Sequence, residues 1–125
     1  MDIYKIDGTK VKDFESFITE MNKNFISKHG DSVWNGNLDA FNDYLNWPQS
    51  KYQFVFENSE SIKEGLSFEA TLLWLTNKLE RCHPSNTDSV SKEIELAKSK
   101  KGQTLYDIIL EIIEDNKDKV SLVLK

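Results

Sequence analysis

Three short apolar runs, each separated from the next by tens of residues, decide most of what this chain can become. Ile3 to Ile6 alternate apolar and polar and leave through Asp7-Gly8, which reads as a strand ending in a turn. Tyr52-Gln53-Phe54-Val55-Phe56 is aromatic and β-branched, and Val120-Ser121-Leu122-Val123-Leu124 makes a third strand. Between them lie segments of helical periodicity, so no two of these strands can meet through a tight hairpin. Strands joined by helical crossovers pair in parallel with a right-handed connection. The expectation is therefore an α/β fold, a three-stranded parallel sheet packed with helices, with the second run in the central position because it is apolar on both faces.

The helices are read from spacing. Asp13 stands as an N-cap before Phe14, Phe17, Ile18, Met21 and Phe25, a stripe at i, i+3, i+4, i+7 and i+11, and His29-Gly30-Asp31-Ser32 ends it. Ser67 is expected to cap a mostly buried helix carrying Phe68, Leu72, Leu75 and Leu79, with Leu73 and Trp74 widening its apolar arc. Cys82 to Asp88 has loop composition, and Val90, Glu93, Ile94 and Ala97 suggest a shorter helix before Lys98-Ser99-Lys100-Lys101-Gly102. Thr104 with Asp107 three residues on resembles a capping box, opening a helix striped by Leu105, Ile108, Ile109, Ile112 and Ile113. At 125 residues the chain suits one domain, residues 1–125, with one core.

Several function classes are disfavoured. Charged residues are 30% and hydrophobic ones 38%, and no apolar run nears the roughly 18 residues of a membrane span. The first residues lack the basic and apolar regions of a signal peptide, and the lone Cys82 fits a reducing compartment, so a cytoplasmic location is expected. Sixteen basic against 21 acidic residues give a net charge of −5, which argues against direct binding of nucleic acid and allows a basic partner. His29 and His83 lie near no recognisable nucleophile, Cys82-His83 lacks the further ligands of a zinc site, and the five glycines are too scattered to cradle a phosphate. No metal, no cofactor and no catalytic activity are expected.

One stretch resists a purely structural reading. From Trp34 to Pro48, Leu38, Phe41 and Leu45 fall on one side of a short helix capped by Asn37 and stopped by Pro48. Asp39, Asn42, Asp43 and Asn46 repeat that spacing one position later, a polar strip with two carboxylates one turn apart. Like charges at i, i+4 repel, and no Lys or Arg lies in the stretch to relieve them. Asp39 also sits in the first turn, where the helix dipole alone favours it; Asp43 lies a turn further in and has no such reason. Trp34 and Trp47 bracket the helix and are open to two readings, core packing or contact with a partner.

The run Gly36-Asn37-Leu38-Asp39-Ala40-Phe41-Asn42-Asp43-Tyr44-Leu45, together with the order of elements around it, resembles the signature of the barstar family of bacterial ribonuclease inhibitors. The resemblance covers Met1 to about Asn58 and about Thr104 to Lys125; a helical insert over about residues 59–101 has no counterpart in it. It implies a barstar-like fold and an intracellular, non-catalytic inhibitor, monomeric when free, that occludes the active site of a basic secreted ribonuclease or related toxin. Asp39 and Asp43 match the two aspartates that meet the enzyme's cationic residues, Asn37 matches the Asn at the helix start, and the loop aromatics of the family map to Val33 and Trp34. Glu111 is the nearest match to a contacting Glu in the last helix. Asn42 departs from the pattern, standing where the family usually has Trp. The partner-binding set implied is Trp34, Asn37, Asp39, Asn42, Asp43, Asn46, Trp47 and Glu111. The alternative is a barstar-like interaction or regulatory domain for a different protein partner.

Overall fold

The computed structural model describes all residues, 1–125. Its sheet has three parallel strands, β1 (Asp2–Asp7), β2 (Tyr52–Glu57) and β3 (Val120–Leu124), with β2 in the middle. Asp2 stands opposite Tyr52 on one side, and Tyr52 opposite Val120 on the other. Tyr52, Phe54, Val55 and Phe56 are all buried, as a strand covered on both faces requires.

Six helices fill the crossovers: α1 (Phe14–Asn24), α2 (Leu38–Leu45), α3 (Ser59–Gly65), α4 (Phe68–Arg81), α5 (Thr87–Lys98) and α6 (Leu105–Asp115). Asp13 and Ser16 close a capping box at the start of α1, and Thr104 and Asp107 do the same for α6. None of the helices is long and apolar enough to cross a membrane.

Two differences from the sequence-based expectation matter for the site. Ser59–Gly65 forms a separate helix, a segment expected only as the start of the helical insert over about residues 59–101; it begins directly after Asn58, which bends the chain at φ 51°. About two turns hold too few apolar positions to show a period, yet Ile62 and the following Leu66 are fully buried in the main core. The second difference is α4, which is not mostly buried: only Thr71 and Leu75 are enclosed, and Leu73 is 64% exposed.

The core divides accordingly. Nineteen buried residues from the sheet, from α1, α2, α3 and α6 and from the segments joining them form one cluster, whereas Leu75, Val90, Ile94 and Ala97 form a small one between α4 and α5. The α4–α5 hairpin leaves and rejoins the main body at one place. The Tyr106 amide donates to the Leu66 carbonyl at 3.2 Å, and the Leu105 amide donates to the Thr71 hydroxyl at 2.7 Å. Helix α3, grouped with the insert on sequence grounds, thus packs with the main body.

Candidate functional site

Helix α2 is eight residues long, too short to be stable alone, and so depends on what surrounds it. At its start the Asn37 side chain accepts from the Ala40 amide at 2.9 Å, the cap expected from its position. Just before it, Gly36 turns the chain at φ 98°, where a Cβ would also come within 2.8 Å of Ile18 Cδ1.

Trp34 holds this turn down. It is 1% exposed, its ring stacks on Phe41 at 4.9 Å, and its Nε1 donates to the Asn37 carbonyl at 2.7 Å. Asn22 of α1 grips the same residue twice, accepting from the Trp34 amide and donating to its carbonyl. Trp34 is therefore corrected from partner contact to core residue: an indole enclosed by Phe14, Phe17 and Phe41 has no face left for a partner. Of the two loop positions before α2, the exposed one is Val33, at 74%.

The far end of α2 is tied as firmly. The buried Tyr52 hydroxyl donates to the Leu45 carbonyl at 2.7 Å, and burial pushes that phenol well above its ordinary range, with the neighbouring Tyr4 adding to the effect. Asn116, at the end of α6, donates to Asn42 Oδ1 at 2.8 Å and accepts from Asn46 Nδ2 at 2.9 Å. These amide bonds fasten α2 to α6.

The polar strip thus divides into two parts. Asn42 and Asn46 are exposed, but their amides are engaged by Asn116. Asp39 and Asp43 are exposed and make no side-chain hydrogen bond within the chain. The molecule's two ion pairs, Lys98 with Glu95 and Lys117 with Glu114, involve neither of them. Two carboxylates one turn apart, without a cation within 4.0 Å, stand on a helix fixed at both ends.

Trp47 remains 41% exposed beyond the end of α2, its ring set edge-on against Tyr44 at 4.4 Å. Glu111 is exposed on α6 and accepts from the Gln103 amide at 2.8 Å. No three His, Cys, Asp or Glu side chains gather where they could hold a metal ion.

A groove of about 710 Å³ opens beside the start of α2, between α1 and the exposed flank of α4. Asp39 stands on its edge, so the α4–α5 hairpin reaches the acidic helix rather than lying remote from it. The sequence offered one hint of this: Leu73 is apolar but falls off the main stripe of α4. Nothing in the sequence marks Asn116 or Asn22, whose partners are 74 and 12 residues away. Comparison of the chain with protein-family models, with curated proteins and with solved structures finds no match.

Proposed function

We propose that the face of α2 carrying Asp39 and Asp43 is the contact surface of a cytoplasmic, non-catalytic inhibitor that occludes the active site of a basic ribonuclease or related toxin, as the resemblance to the barstar family implies. One observation supports it above the others: two solvent-facing carboxylates, unpaired within the chain, are held on a helix anchored by Trp34, Tyr52 and Asn116.

The chemistry follows from what a phosphate-binding site offers. Its Arg, Lys and His side chains are preorganised donors for anionic oxygen, and a fixed pair of carboxylates satisfies them by short charge-assisted hydrogen bonds. Anchoring matters because a helix that had to order on binding would surrender affinity to lost conformational freedom. The net charge of −5 supports attraction of a basic protein over distances of about a Debye length, roughly 8–10 Å at physiological salt. Val33 and Trp47 supply apolar surface on either side of the acidic face.

The test is Asp43→Ala, with the fold checked by circular dichroism and binding kinetics measured on the nuclease that the wild type inhibits. Removing one member of a desolvated charge pair costs about 2–5 kcal/mol, a range for which the barnase–barstar interface is itself a standard source. Slower association at low salt is expected as well. Unchanged affinity removes Asp43 from the site.

A second reading is favoured by Asn42. Its amide is engaged by Asn116, and it stands where the family places a large aromatic contact, which suits a protein partner other than a nuclease. Tight binding of a partner without any effect on RNA hydrolysis would select it.

A further inference from the structure

We propose that the groove between α1 and α4 is a docking site for a peptide segment of a partner protein, one that carries an apolar side chain between a basic and an acidic residue. The floor is built by Phe14 and Ile18 of α1 facing Leu73 and Trp74 of α4. Leu73, 64% exposed at this place, is a large apolar side chain that the fold does not bury.

The charges decide the occupant. Asp13, Glu15 and Asp39 line the groove from the main body, and Lys78 and Arg81 line it from α4. Opposite charges therefore share one groove, yet none of them forms an ion pair, since the chain's only two pairs lie elsewhere. They are held further apart than the 4.0 Å of a salt bridge, with about 710 Å³ of space in the groove they share. Lys78 Nζ lies 5.2 Å from the Trp74 ring centroid, a contact that keeps its charge against the apolar floor. A segment of one sign would meet repulsion from one wall. A segment bearing both signs, with an apolar side chain between them, completes both walls and covers Leu73.

This site stands apart from the nuclease reading, since Glu15, Leu73, Lys78 and Arg81 are not on α2; Asn37 and Asp39 are common to both. The test is selection of a random dodecapeptide phage library on the immobilised full chain, with Leu73→Asp and Lys78→Glu/Arg81→Glu chains as parallel targets. All three substituted side chains lie on an exposed flank, and circular dichroism checks each variant. Peptides enriched on the wild type should carry an aromatic or aliphatic residue flanked by opposite charges. A synthetic peptide of that consensus should weaken by roughly tenfold or more on each variant and bind the Asp43→Ala chain unchanged. Absence of enrichment over the variants, or a consensus without the charge pair, overturns the proposal. So does a dimer of the wild type in sedimentation that Leu73→Asp dissolves, because the groove would then belong to a second copy.

Discussion

Asp39 and Asp43 are the residues on which the proposed function turns, and buried neighbours hold the helix that carries them. Gly36 is one. At φ 98° and 2.8 Å from Ile18 Cδ1 for any added Cβ, Gly36→Ala should cost about 1–3 kcal/mol in denaturant unfolding. A loss below about 0.5 kcal/mol would show that the turn relaxes without strain. Tyr52 is another. Its phenol is raised by burial, so the folded state holds the proton more tightly than the unfolded chain does. The stability it contributes is complete below the ordinary value of 10.0 and is lost as pH rises above it. Urea unfolding followed to high pH should show this alkaline decline, and Tyr52→Phe should lessen it while costing about 1 kcal/mol at neutral pH for the lost bond to Leu45. An alkaline decline of the same steepness in the variant would assign it to other groups. The carboxylates were legible in the sequence from spacing and the missing cations. The burial of Trp34 was not, because an indole next to a polar strip looks the same on paper whether it faces inward or outward.

At the scale of elements, strands and helices were readable from their period, and the expected cap agrees with it in α1 and α6, whereas Ser67 stands at the N-cap of α4 without a side-chain bond. Asp13 and Thr104 were expected as caps, and both close capping boxes. Asp13 is held below its ordinary 3.8 by the amide and then the hydroxyl of Ser16, so its contribution is present above that pH and fades as pH falls below it. Thr104→Ala should cost about 1 kcal/mol of stability through the orphaned Asp107 amide, measured by denaturant unfolding. No change would mean that water serves that amide equally well. Helix α3 was not resolved from the rest of the insert because seven residues carry too little pattern, and the exposure of α4 escaped because its Leu73 read as extra core, whereas Trp74 does pack against both clusters. In both cases the deciding information is long-range: α3 is fixed by the main core, and α4 turns Ala70 and Trp74 to the main core and Leu75 to the cluster shared with α5, which leaves the flank carrying Leu73 uncovered.

The molecule as a whole is a main body with a hairpin that joins it through Ala70, Thr71 and Trp74 of α4. The parallel sheet agrees with the spacing of three apolar runs, which excludes tight hairpins between them and favours helical crossovers. The division of the core into nineteen residues and four does not follow from it, since the stripes of α4 and α5 look like those of any core helix. This division predicts sub-global opening. Amide exchange in α5 should proceed through a lower free energy than exchange in β2, the buried central strand. Equal protection of both would show a single cooperative unit. For the acidic helix the consequence is the reverse, because α2 belongs to the main body and is anchored by the sheet, by α1 and by α6.

That anchored carboxylate pair is the centre of the account, and titrating RNA hydrolysis tests it most directly. Small basic secreted ribonucleases, beginning with any encoded beside this chain, would be assayed against increasing amounts of the wild type and of Asp39→Asn/Asp43→Asn. One such enzyme should be silenced at near-equal molar ratio by the wild type and remain active with the doubly substituted chain. Full activity of every enzyme with the wild type, or equal silencing by both chains, would contradict it.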